Sequence, residues 1–385
     1  MISDRSRRLV LCAVIFCDML AFSLVIPSLP GVVQDFGGAG LALGLVFSGY
    51  SLAQFIAAPL LGRLSDRIGR RQLLLLALTG SVLSLGLSAL ATSLAVLLAA
   101  RVLAGFCGGS ISVAMAMLAD SSDAKSRTRI MGMGGASVGL AFTIGPALGA
   151  LFAGWGFAAL CLVGAAIAAA TLAAAFFLLP TQSSATTKAG GASQPMGGSF
   201  LRLLAITGLS MLMFVGMEAT LGLFVEERFA WSADRLGWLL ALAGLSYVLV
   251  QMSLVWRLAD KFGEWPVSAG AALLMAGALV LVPFAGPATL IAGIVLIGAS
   301  QGFLTTLTTS LASRMASAGS VGQHIGANQA VSALGRVLGP ALAGLLYDAG
   351  PLLAYGAMGL FGLAAAALAL RNGAEGEGRL ALRNR

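Results

Sequence analysis

Charge is scarce in this chain. Of its 385 residues only 10% are charged, and there is a single histidine, His324. Soluble domains carry roughly a quarter charged residues, so a globule solvated by water on all sides is excluded. The four cysteines, Cys12, Cys17, Cys107 and Cys161, all lie inside apolar runs, without CxxC or Cys/His spacing. That leaves neither a disulfide framework nor a metal-ligand pattern, and the cysteines read as small core residues. Phosphate loops are lacking too. Hydrolysis or group transfer inside a membrane needs clustered His, Asp or metal ligands, so no enzyme and no cofactor are expected. The net charge of +8 does not point to nucleic acid either, because the basic residues fall between apolar segments rather than on a face interleaved with aromatics. Strand alternation is absent, which argues against a β-barrel.

What the chain has instead is 58% hydrophobic residues, 51 glycines and a mean hydropathy of +0.95. Lipid must solvate most of these side chains, and small residues let helices approach closely in lipid. Twelve apolar stretches stand out, at 9–30, 41–61, 72–91, 94–118, 130–153, 157–179, 203–225, 236–256, 266–285, 288–312, 322–346 and 351–370. Each approaches the ~20 residues a helix needs to cross a bilayer, and a helix satisfies its own backbone there. The first stretch follows Arg5, Arg7 and Arg8; it exceeds a signal-peptide core and lacks a cleavage signature, so it reads as a retained span. With the N-terminus in the cytoplasm, 19 of the 23 Lys and Arg fall on cytoplasmic segments. Arg228 and Arg235 fall outside, and Arg101 and Arg336 within spans. That bias places both termini in the cytoplasm. All five tryptophans fall at span ends, as an interfacial belt requires.

Residues 181–199, TQSSATTKAGGASQPMGGS, have a linker composition and part six spans from six. The expected organisation is a first six-helix bundle at 1–180, a cytoplasmic linker at 181–201, a second bundle at 202–371 and a tail at 372–385. The halves look duplicated. RLSDRIG at 63–69 returns as RLADKFG at 257–263, an offset of 194, and Gly145-Pro146 returns as Gly339-Pro340 at the same offset. Duplicated bundles hold a substrate site between them near the midplane.

Charges inside spans are expensive and usually functional. Asp18 (first span), Arg101 (fourth), Glu218 (seventh) and Arg336 (eleventh) stand out. A carboxylate that alternates between a desolvated setting and one beside a cation loads and releases a proton, so Asp18 and Glu218 are candidate proton carriers. Arg101 and Arg336 are candidates for charge pairing or for gripping a substrate. The plainer alternative is a fixed Asp18–Arg101 ion pair holding the first and fourth spans together. His324, at the mouth of the eleventh span, reads as a bystander.

GRLSDRIGRR at 62–71, DMLAFSLVIPSLP at 18–30, RVLAGFCGG at 101–109 and GPALGA at 145–150 together resemble the major facilitator superfamily, and more narrowly its twelve-helix drug:proton antiporters of the tetracycline type. The resemblance covers essentially the whole chain. It implies an all-α membrane fold of two pseudo-symmetric six-helix bundles. The activity it implies is proton-driven export of amphipathic or cationic small molecules by alternating access, with export of a metabolite such as a sugar or amino acid as the alternative. The setting would be a bacterial inner membrane, the partners protons, cargo and lipid, and the state monomeric. It makes Asp66 a conformational latch against the cytoplasmic end of the eleventh span. Gly62 and Gly69 would permit tight turns beside it, with Arg67, and Arg70 paired to Asp120 or to another inner-loop acid, completing the latch. Gly145, Pro146, Gly339 and Pro340 become helix kinks. The tetracycline pumps carry a histidine in the eighth span where this chain has Tyr247, which points away from tetracycline as cargo.

Overall fold

The computed structural model describes residues 4–108, 110–120, 127–179, 197–316 and 321–383. The side chains of Gly62, Asp66, Arg67 and Asp120 lie outside what is described, as does the linker from 180 to 196. Among the described residues, all regular structure is helical. Fifteen α-helices follow one another: α1 (Asp4–Ser23), α2 (Leu29–Asp35), α3 (Gly40–Ile68), α4 (Arg70–Ala89), α5 (Leu94–Cys107), α6 (Ser110–Asp120), α7 (Arg127–Leu151), α8 (Phe157–Leu178), α9 (Gly198–Phe229), α10 (Ala233–Ser253), α11 (Val255–Phe262), α12 (Glu264–Leu281), α13 (Pro287–Arg314), α14 (Val321–Asp348) and α15 (Pro351–Arg383). Eleven segments are long and apolar enough to cross a membrane, and α5 is a shorter apolar helix.

The spans refine the sequence expectation in three places. The first span is α1 and α2 joined by a 3-10 turn at Ile26–Ser28, where Pro27 and Pro30 interrupt the backbone donor ladder. The fourth, expected unbroken over 94–118, is parted into α5 and α6 around Gly108. The region from 372, expected as a tail, continues α15 to Arg383.

Two compact units are present: Met1–Lys188 with Gly222–Gly244, and Ala189–Leu221 with Leu245–Arg385. In unit 1, α1 packs on α7 and α8, α4 on α5 and α8, and α3 on α5. One core cluster gathers Leu11, Ile15, Leu73, Leu78 and Leu118; another gathers Leu24, Leu85, Leu160 and Cys161. Unit 1 takes in the end of α9 and most of α10 through small-residue contacts. A side chain at Gly237 would sit 2.6 Å from the Ala150 Cβ, and one at Gly244 2.9 Å from the Thr143 hydroxyl. In unit 2, α12 packs on α13 and α15, and α14 on α13 and α15. There α9 and α14 meet backbone to backbone: a Cβ on Gly339 would lie 2.6 Å from the Leu212 carbonyl oxygen.

The duplication extends to the backbone. Gly69 (φ 91°) and Gly263 (φ 88°) open α4 and α12, and Gly156 (φ 82°) and Gly350 (φ 136°) precede α8 and α15. Both pairs are 194 apart. Gly37 (φ 75°) and Ala230 (φ 52°) form a third pair at 193. Left-handed backbone favours glycine, so these positions hold the same corners in each half; Ala230 alone does so with a side chain. At Gly69 the expected turn is present. Gly62 instead lies within α3, so the turn expected there is replaced by continuous helix. Pro146 and Pro340 both sit inside helices that continue past them.

Candidate functional site

The four charges inside spans sit in different surroundings. Asp18 is 4% exposed and accepts a hydrogen bond from the Ser110 hydroxyl; the Ser81 hydroxyl also reaches its carboxylate. Arg101 is equally buried, and its Nε and Nη2 have no hydrogen-bond partner among the described residues. Its guanidinium lies 5.8 Å from the centre of the Phe22 ring, which stacks on Tyr50 at 4.5 Å. Asp18 and Arg101 line one cavity together with Ser81, Ser84, Ser88 and Tyr50. No ion pair joins them, so the fixed Asp18–Arg101 pair set out as the plainer alternative is not what this structure holds. The cavity measures about 30 Å³. A single water needs about 10–15 Å³, so it admits water and protons but not a drug-sized molecule.

The local sequence explains this placement. Ser23, one turn past Asp18, donates to the Ala141 carbonyl at 2.9 Å, and Gly145 leaves room for that Ser23 hydroxyl. Together they seat α1 on α7. Gly105 abuts the Tyr50 backbone, and Gln54 donates to the Gly108 carbonyl at 3.0 Å. That bond takes up one of the carbonyls left without a helical donor where α5 ends.

In unit 2 Arg336 donates from Nη1 to the Ser332 hydroxyl at 3.1 Å. Its charge acts through space on the Tyr247 hydroxyl, which hydrogen-bonds with Thr305 and Gln251. Glu218, half-buried on α9, has neither a hydrogen-bond nor an ion-pair partner among the described residues. His324 is buried and its ring lies 4.3 Å from that of Phe200, in a core cluster with Leu203 and Leu311.

The latch is described only in part, because Gly62, Asp66, Arg67 and Asp120 lie outside the described side chains. Beside it, Arg71 donates to the Phe176 carbonyl at 2.5 Å and lies 5.3 Å over the Phe176 ring. It therefore ties α4 to α8. The second half carries its own contact: Arg314 approaches Glu264 at 3.5 Å, and the Ser310 hydroxyl donates to Glu264 at 2.7 Å. Positions 264 and 314 are 70 and 120 advanced by 194. The second half thus carries an ion pair at the places that correspond to Arg70 and Asp120, with the signs exchanged.

Sequence reasoning missed the polar partners Tyr50, Gln54, Gln251, Gln301 and Thr305. A signal was available. YSLAQ at 50–54 returns as YVLVQ at 247–251, an offset of 197, and Gly105 returns as Gly302 at that same offset. Both glycines press against the backbone of their half's tyrosine.

The Major Facilitator Superfamily model matches residues 11–228 and 198–382. The chain belongs to this superfamily. Among curated relatives it is 32% identical over 342 residues to the tetracycline resistance protein, class E, of Escherichia coli, an alignment covering 77% of this chain and 82% of that one. It is 29% identical to the class C protein of the same organism, covering 89% of each. Among solved structures, the human organic anion transporter MFSD10 (TETRAN) superposes with a TM-score of 0.72 at 26% identity, covering 96% of this chain and 100% of that one. The chain is therefore a multi-pass membrane transporter of the major facilitator fold, not an enzyme.

Proposed function

We propose that this chain is a proton-coupled exporter that moves amphipathic small molecules out of a bacterial cell by alternating access, with both termini in the cytoplasm. The observation that carries the reading is the cavity in unit 1. It holds a buried acid on serine hydroxyls and a buried arginine without a hydrogen bond on two of its nitrogens among the described residues, lining one cavity without an ion pair between them. An unpartnered buried cation is costly. Deprotonation of Asp18 draws its carboxylate toward Arg101, and protonation returns it to the serines. That exchange couples a proton to a rearrangement of α1 against α5. In such a cycle the proton is held at Asp18, while Arg101 supplies the field that releases it. The tetracycline resistance relatives favour export as the direction.

The test is transport in proteoliposomes loaded with a panel of amphipathic dyes and aromatic acids. The wild type should accumulate cargo against its gradient when a pH gradient is imposed. Asp18→Asn should abolish that accumulation while retaining counterflow exchange of the same cargo, which needs no proton. Retention of pH-driven accumulation by Asp18→Asn would sink the reading.

The alternative, export of a metabolite, draws support from one observation. Tyr247, Gln251, Gln301 and Thr305 bring two amides, a phenol and a hydroxyl together in unit 2. Cargo rich in hydrogen-bonding groups would use such a set, whereas a purely apolar drug would not.

A further inference from the structure

Unit 2 holds a polar cluster that the proton cavity does not use. Gln301, on α13, is 2% exposed. Its Nε2 donates to the Thr305 hydroxyl at 3.2 Å, while its Oε1 has no partner among the described residues. Thr305 hydrogen-bonds with the Tyr247 hydroxyl on α10, and the charge of Arg336 on α14 acts on that hydroxyl through space. A connected chain of side chains thus runs from an unused buried acceptor to a phenol within the field of a cation. Close backbone packing holds it in place. Gly302 seats α13 against α10, where a Cβ would lie 2.8 Å from the Tyr247 carbonyl, and Gly335 and Gly339 seat α14 on α9.

The first half shows what the duplicated arrangement looks like when it is closed. There Gln54 spends its amide on the Gly108 carbonyl and the Tyr50 hydroxyl. The residue that aligns with Gln301 at the offset of 197 is Ala104, and with Thr305 it is Gly108. The second half has added an amide and a hydroxyl at those two places and left the Gln301 oxygen empty. A buried polar atom without a partner is costly, and a ligand that supplies the missing donor removes that cost.

We propose that the Tyr247–Thr305–Gln301–Arg336 cluster is a cargo subsite for a small organic anion that carries an O–H or N–H donor beside its acidic group, that is, a hydroxy- or amino-carboxylate. The guanidinium and the Tyr247 hydroxyl take the anionic oxygens, guanidinium–carboxylate pairing being strong and directional. The Gln301 oxygen accepts from the neighbouring donor. This deepens the exporter reading, resting on it for the direction of movement, and narrows its cargo from amphipathic molecules in general to acids of this kind.

Equilibrium binding to the purified full chain, with no pH gradient, tests the subsite apart from proton coupling. The probes are mandelate, phenylacetate (which lacks the hydroxyl) and mandelamide (which lacks the charge). Wild type should bind mandelate about tenfold or more tightly than either, the scale of one charge-assisted or buried hydrogen bond. Arg336→Gln should erase the preference over mandelamide, and Arg336→Lys should restore part of it. Gln301→Leu, close in shape, should erase only the preference over phenylacetate. Because Gln301→Leu leaves every charge in place, unchanged thermal melting alongside a lost preference separates recognition from folding. Failure of mandelate to bind wild type overturns the proposal, as does survival of both preferences in the variants. A chain that binds mandelate in this way yet shows no pH-driven transport keeps the subsite and refutes the exporter reading instead.

Discussion

Replacing Gly339 by alanine should separate α14 from α9 and lower stability. The new Cβ would lie 2.6 Å from the Leu212 carbonyl oxygen, 3.1 Å from its Cα and 3.2 Å from its carbonyl carbon, all backbone atoms, whereas ordinary contact begins at 3.4 Å. Because backbone cannot rotate away, the helices must part by about 0.8 Å (3.4 − 2.6) along that contact. Overpacking of this kind costs about 1–3 kcal/mol. Against it stands the better helix propensity of alanine, worth about 1 kcal/mol, so the net loss is about 0–2 kcal/mol. Gly270 and Gly277 on α12 supply the control, since a Cβ at either meets nothing within 4 Å. There only the propensity gain remains, and alanine should stabilise. The assay is thermal melting of each purified variant, followed by size-exclusion chromatography of the protein that survives heating. Gly339→Ala should melt below Gly270→Ala and Gly277→Ala by several degrees, at about 2–4 °C per kcal/mol for a unit of this size. If Gly339→Ala melts with the two α12 variants, the contact between α9 and α14 does not carry the packing energy assigned to it.

Two further outcomes follow from the charged residues. Glu218→Gln removes a charge that no described side chain partners, so it should leave melting unchanged or raise it, while lowering pH-driven transport if Glu218 also carries a proton; full transport by the variant would remove Glu218 from the coupling machinery. For Glu264 and Arg314, whose side chains are 12% and 72% exposed, a double-mutant cycle of Glu264→Gln and Arg314→Gln read by melting should give a coupling of no more than about 1 kcal/mol, because one partner is solvated. A much larger coupling would mean that the pair is held away from water in the membrane.

Much of this architecture was readable from hydropathy, because lipid demands long apolar helices and little else. The residues that break the spans were harder to place. Pro27 and Pro30 part α1 from α2 as their chemistry predicts, but Gly62 passes through α3 as helix although its sequence context suggested a turn. Glycine permits a turn without requiring one, and only Gly69 has the left-handed backbone that demands it. The acids and arginines inside spans were visible as isolated charges in apolar runs. Whether Asp18 pairs with Arg101 was not visible, because that depends on which rotamer the serines of α4 and α6 capture. The Gln301 cluster escaped notice for a related reason. Neutral amides scarcely mark an apolar sequence, and its members are drawn from α10, α13 and α14, so no local spacing gathers them.

The duplication separates scaffold from function. Glycines that recur between the halves, such as Gly69 and Gly263 or Gly145 and Gly339, set corners and helix approaches. The charges inside spans do not recur. At an offset of 194, Asp18 answers to Leu212, Glu218 to Leu24 and Arg336 to Phe142, and at the offset of 197 that holds around Gly105, Arg101 answers to Gly298. A charge needed only to hold a bundle together would serve both copies of that bundle. These four each appear in one copy, against an apolar residue in the other, at positions where a charge is costly. Such an arrangement accords with the division of labour proposed above, a proton held in one bundle and an acidic cargo in the other. Glu264 and Arg314, which pair in the second half, stand where the first half has Arg70 and Asp120, so at that place charge recurs between the halves with its signs exchanged.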